Sequence, residues 1–111
     1  MATIFGQIIE GTLPCKKVFE NERILAIEDI HPAAPVHILI MPKKAIPSLQ
    51  ELEKEDLALV GGIIQVAQKL AADLGIEGGY RLLTNNGAGA GQTVFHLHFH
   101  LLGGRPLGKL C

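Results

Sequence analysis

The chain has 111 residues, enough for one domain with a core that needs no covalent staple. Hydrophobic residues make up 48% of it, which excludes a disordered chain. Ten basic against eleven acidic residues leave a formal charge of −1, so there is no electrostatic footprint for nucleic acid.

No apolar run approaches the roughly 18 residues that a membrane span requires. The first residues carry no basic cluster and soon meet Gln7 and Glu10, so a signal peptide is not expected and a cytoplasmic location is. Cys15 and Cys111 form no Cys-x-x-Cys pattern, which leaves no zinc ribbon, no dithiol motif and no inferable disulfide. One domain over residues 1–111 is expected.

Thr3 is placed to cap a short helix running to about Glu10 and ended by Gly11. Ile4, Phe5, Ile8 and Ile9 give that helix an apolar face. Two strands follow, at about Lys17–Glu20 and Ile24–Asp29, with Asn21-Glu22 as the turn of a hairpin. Pro32 and Pro35 stiffen the loop behind them. A third strand, His37–Met41, is apolar on both faces and is expected at the sheet centre.

Ser48-Leu49-Gln50-Glu51 has the form of a capping box. A long helix is predicted over about Glu55–Leu74, burying Leu57, Val60, Ile64, Ala67, Leu70, Ala71 and Leu74. Gly61-Gly62 weakens it by roughly 1 kcal/mol per residue, a cost that close packing on the sheet would explain. Gly75 with Ile76 has the form of a C-terminal cap. A fourth strand spans Tyr80–Asn85, and the small-residue loop Asn86–Gly91 follows it. That loop lets backbone N–H groups approach a phosphate, but no lysine or helix follows as in a P-loop.

Residues 93–105, from Thr93 to Arg105, read as a fifth strand with strict alternation. His96, His98 and His100 then share one face, and Phe95, Leu97, Phe99 and Leu101 share the core face. Three imidazoles in a row are hard to explain by packing, since each has two nitrogens to satisfy. Two chemistries remain open. One is nucleophilic or acid–base catalysis by a histidine with supporting neighbours. The other is a metal site built from two of these histidines and His37. The residues after Pro106 are expected to be poorly ordered. The elements sum to an α+β domain: a five-stranded, mainly antiparallel sheet with one long and one short helix. The long helix covers one face, and the histidines occupy the other.

The run His96-Leu97-His98-Phe99-His100-Leu101-Leu102 resembles the signature of the histidine triad (HIT) superfamily. Gly103-Gly104-Arg105 after it is similar to the Hint branch, the nucleoside phosphoramidases. Thr3–Ile9, Asp29-Ile30-His31-Pro32-Ala33-Ala34-Pro35-Val36-His37, Met41-Pro42-Lys43-Lys44, and Asn85 through Thr93 extend the resemblance over the whole chain.

The resemblance implies hydrolysis of AMP-linked P–N bonds through a nucleotidyl-histidine, with a purine nucleotide as substrate and a homodimer as the assembly. It implies no cofactor, metal, nucleic acid or membrane. His98, in the middle of the row, is the expected nucleophile. His100 is expected to donate to a phosphate oxygen, and His96, with His37 behind it, to orient the row. Thr93 is expected beside the leaving group. Asp29 is expected to hold the ribose hydroxyls. Asn85, Gly91 and Gln92 are assigned to the phosphate region, and Ile4, Phe5, Ile8 and Ile27 to the base pocket. The chain departs from the pattern at Ala33, at Ala45 and in its tail, which lacks the tryptophan-containing ending of animal members. A zinc-binding histidine module and a nucleotide-binding scaffold with incidental catalysis are the alternatives.

Overall fold

The computed structural model describes residues 3–110; Met1, Ala2 and Cys111 lie outside them. Helix α1 spans Ile4–Glu10. Thr3 Oγ1 accepts the Gly6 N–H at 3.0 Å, and Gly11, in the left-handed region, ends the helix. Strands β1 (Lys17–Glu20) and β2 (Ile24–Glu28) form the expected hairpin. At its turn, Asn21 Oδ1 accepts the N–H groups of Arg23 and Ile24. Strand β3 is Val36–Pro42, helix α2 is Leu57–Asp73, β4 is Tyr80–Leu83 and β5 is Phe99–Gly103.

All strand pairings are antiparallel, in the order β1-β2-β3-β5-β4. The last strand inserts between β3 and β4, which leaves β3 central. Alternation along the strands then separates two apolar layers. Ile24, Ala26, Ile38, Ile40 and Leu101 pack against Ile63, Val66, Ala67, Leu70 and Ala71 of α2. Leu25, Ile27, Leu39 and Met41 point the other way, against Phe5 and Ile8 of α1. His37 and His100 alternate with Ile38 and Leu101, so they fall on the α1 side, away from α2. Among the described residues no helix is long and apolar enough to cross a membrane.

Several details differ from expectation. The buried face of α2 is rotated: Ile63 and Val66 enter the core, whereas Leu57 is 58% exposed and Ile64 and Leu74 also face outward. The cause is Gly62. A Cβ there would stand 2.9 Å from Ile24 Cδ1, so the glycine is the point at which the helix touches β2. Ser48 makes no side-chain cap; a 3₁₀ turn, Leu49–Glu51, begins there instead. The capping carboxylate comes later, where Asp56 Oδ2 accepts the Glu53 N–H at 3.0 Å. Gly75 closes α2 as foreseen. Its N–H donates to Ala72 O and that of Ile76 to Ala71 O, with the Ile76 side chain buried. The tail is held at Gly108, whose carbonyl accepts from Arg81.

The largest correction concerns β5. Residues 94–98 leave the sheet. The Leu97 N–H donates to Ile46 O at 2.6 Å, and His98 O accepts from Thr84 Oγ1 at 2.6 Å. These backbone groups are satisfied by loops on either side, so no ladder forms. Phe95 is 50% exposed and is not a core residue.

The rotated face yields a test in urea unfolding. Ile63→Ala, at a fully buried site, is expected to cost about 2–5 kcal/mol. Gly62→Val overpacks the contact with Ile24 and is expected to cost about 1–3 kcal/mol.

Candidate active site

The loop before the histidines is braced by Gln92. Its buried amide oxygen accepts the Gly87 N–H at 2.8 Å. Its amide nitrogen donates to Pro47 O at 2.8 Å and to Val94 O at 3.1 Å. Gln92 therefore ties the loop to itself and to the distant segment at Pro47.

Beyond it, each histidine has a different hydrogen-bond environment. His96 is 3% exposed and donates from Nε2 to Pro42 O at 2.7 Å. His98 donates from Nδ1 to the carbonyl of His96 at 2.7 Å. A carbonyl only accepts, so the proton of neutral His98 sits on Nδ1 and Nε2 keeps its lone pair. Nε2 has no protein partner and is not sealed from solvent, since no buried side-chain N or O lacks a hydrogen bond among the described residues. Phe5 presses edge-to-face on the ring, with centroids 4.8 Å apart, and fixes its plane.

His100 is set by a second chain of contacts. The Ala33 N–H donates to His37 Nδ1 at 3.0 Å, which makes that nitrogen an acceptor. Neutral His37 then carries its proton on Nε2 and donates it to His100 Nδ1 at 2.9 Å. His100 is left with its own proton on Nε2. The site thus presents a bare nitrogen on His98 and an N–H on His100, with ring centroids 5.1 Å apart. His37 stands behind His100 and not behind His96, which corrects the expected pairing. The reason is register: β3 places His37 opposite Leu102, diagonal to His100.

Burial pushes all three histidines of the motif below the ordinary imidazole value. For His100 burial is reinforced by neighbouring His98 and His37, and the value falls to about 4. A neutral His98 at pH 7 is what a nucleophile requires.

The two rings line a cavity of about 400 Å³. Ile4, Phe5, Ile8 and Ile27, the residues assigned to a base pocket, line its apolar side. Asp29 and Thr93 lie at its polar side. Asp29 Oδ1 accepts the His31 N–H at 2.8 Å, and Oδ2 is 3.4 Å from His37 Nε2. Asn85, Gly91, His96, His37 and Gln92 do not line this cavity. Sequence reasoning missed Leu13, Pro14, Cys15, Ile30, His31 and Val94, which do. The only signal for them was adjacency to α1, Asp29 and Thr93. No lysine or arginine is in the wall; its basic groups are histidines, and Glu28 and Asp29 are its carboxylates.

Asp29, His37 and His100 also bring one possible ligand atom each to within 4.8 Å of one another, an arrangement with the donor types zinc accepts. A cation there would replace the 2.9 Å hydrogen bond between His37 and His100, because both bonded nitrogens would become ligands.

Residues 10–107 match the model of the HIT domain family. A HIT-like protein of Chlamydia pneumoniae is 55% identical over 98% of this chain and 99% of its own length. The structure of a HIT family hydrolase from Legionella pneumophila superposes with a TM-score of 0.94 at 44% identity, covering 96% of both chains. A histidine triad nucleotide-binding protein from Candida albicans superposes with a TM-score of 0.83 at 32% identity, over 99% of this chain and 84% of that one.

The depressed value of His100 has a consequence for stability. Between about pH 6.5 and about 4 the unfolded chain binds a proton at this residue that the native state does not. Stability from this source is complete above about pH 6.5 and is lost as pH falls toward about 4. Thermal melts from pH 7 to 4 are expected to show that decline, and His100→Asn to reduce it.

Proposed function

The chain belongs to the HIT domain family, and on that premise we propose that it hydrolyses adenosine 5′-phosphoramidates and related AMP conjugates at the P–N bond. The observation that carries this reading is the tautomer of His98: Nδ1 is tied to His96 O, which leaves an unpartnered Nε2 at a cavity of nucleoside size. The hydrolase named from Legionella and the nucleotide-binding protein named from Candida support the two halves of it.

In this reading the base lies against Ile4, Phe5, Ile8 and Ile27, and Asp29 takes the ribose hydroxyls. His98 Nε2 attacks the α-phosphorus. The bond to the leaving nitrogen breaks as the bond to Nε2 forms, and the Thr93 hydroxyl passes a proton to the departing amine, a proton that the attacking water gives back in the second step. The imidazole gains a positive charge, which its Nδ1–H shares with the His96 carbonyl. His100 Nε2–H donates to a phosphate oxygen, where charge develops. Water then attacks phosphorus, the P–N bond to His98 breaks and AMP departs.

A homodimer fits the surface. Leu57 and Ile64 are exposed on α2 with open space beside Gly61 between them, and β4 is an unpaired sheet edge. Such a stripe and edge suit pairing with a second copy. The zinc reading has the Asp29–His37–His100 cluster in its favour and is kept as the second alternative.

Hydrolysis of adenosine 5′-phosphoramidate in the presence of a chelator decides between them. Wild type is expected to turn over, and His98→Ala to lose at least about a thousandfold in kcat. Loss with the chelator and recovery with zinc would instead favour the metal. Binding of AMP without turnover would favour a scaffold. Separately, Leu57→Glu combined with Ile64→Glu is expected to sediment as a monomer while wild type sediments as a dimer.

A further inference from the structure

Gly103-Gly104-Arg105 has no part in the mechanism above, yet its placement ties it to the site. Arg105 lies just past β5 with its side chain exposed. Its Nη1 donates to Pro106 O at 2.8 Å, which folds the guanidinium back on its own chain. Its Nη2 donates to Ala33 O at 2.7 Å, across 72 positions of sequence. Ala33 is the residue whose N–H donates to His37 Nδ1. The guanidinium thus holds one end of a peptide unit's neighbour, and the catalytic relay begins at the same residue. From there the contacts run His37 Nε2 to His100 Nδ1, leaving the His100 Nε2–H for the cavity.

The two glycines make this approach possible. Gly104 has φ +95, where a side chain is strained, and a Cβ there would come within 2.9 Å of Pro35 Cβ. A Cβ on Gly103 would meet Ile76 Cδ1 at 2.7 Å. The end of β5 therefore fits between Ile76 and the loop of residues 29–35, and Arg105 emerges where it can reach Ala33.

We propose that Arg105 is a positioning residue: by clamping Ala33 it keeps His37 and His100 both protonated at Nε2. The clamp explains why Ala33 can lack a polar side chain, since only its backbone is used. It also places control of the His100 donor at the far end of the chain, outside the cavity. The tautomers stand on the geometry alone, whereas the effect on rate rests on the reaction proposed above.

The test is nitrogen-15 NMR of the histidine rings at pH 7, with kcat for adenosine 5′-phosphoramidate measured beside it. In wild type, Nδ1 of His37 is expected to resonate as a hydrogen-bonded acceptor and Nδ1 of His100 likewise. In Arg105→Ala, the His37 Nδ1 resonance is expected to move toward that of an unbonded ring nitrogen. The same variant is expected to lose roughly threefold to tenfold in kcat, what one missing hydrogen bond in the relay supports. Arg105→Lys, which retains a donor for Ala33 O, is expected to restore both readouts. Gly104→Ala, which pushes on Pro35 from the other side, is expected to reproduce the shift.

An unchanged ring-nitrogen pattern in a folded Arg105→Ala overturns the proposal, whatever happens to kcat. A changed pattern in a protein that does not cleave the phosphoramidate leaves the clamp standing and removes only the assigned reaction.

Discussion

The hydrogen bond from His98 Nδ1 to the carbonyl of His96 sets the chemical character of the site, because a carbonyl accepts and cannot donate. It settles which nitrogen is free and keeps the ring from turning. The bond requires that the backbone at residue 96 leave the ladder, since a carbonyl engaged in β-pairing is less available to a side chain two residues on. Leu97 and His98 do leave it, to Ile46 and Thr84. The departure from the sheet is therefore what leaves Nε2 of His98 as the free nitrogen.

The rest of the molecule holds that irregular segment still. Gln92 fixes the loop on one side with three hydrogen bonds. His96 closes the other side by donating to Pro42 O at the end of β3. Beneath them lies the regular part of the fold, in which β3 and β5 present His37 and His100 on neighbouring positions of one face. The histidines of the site thus come in two kinds: one pair aligned by strand register, and one held by loop contacts. The pair set by register leaves an N–H on His100, and the residue held by the loop leaves a bare nitrogen on His98.

The division also explains what could be foreseen from residues alone. Helix α1 with its Thr3 and Gly11 caps, the hairpin, the central place of β3 and the glycine cap of α2 all follow from local chemistry. The motif around His98 is legible because three imidazoles at alternate positions are hard to satisfy by packing alone, although His96 turns out to be buried against Pro42 O. The break at residues 94–98 was not legible, because apolar–polar alternation describes an extended chain whether or not it is paired. Gln92 is a polar residue in a glycine-rich loop, and nothing in its neighbours signals that it is buried. The rotation of α2 escaped too. Periodicity gives the width of a buried stripe, but Gly62 against Ile24 sets its direction, and that contact is between distant segments. The pairing of His37 with His100, not His96, needed the register of two strands that are more than fifty residues apart in sequence.

The cavity wall has only imidazoles for basic groups, with Glu28 and Asp29 beside them. Without a fixed cation, the site exerts no long-range pull on an anion. An incoming phosphate ester meets no attraction until it is within hydrogen-bonding distance of His100 or Thr93. Encounter is thereby left to ordinary diffusion, and ionic strength has little attraction to screen. Lys16, just outside the wall, lies 3.4 Å from Glu28 and offsets one of the wall's two carboxylates. The wall thus offers an anion hydrogen-bond donors at close range in place of a fixed positive charge.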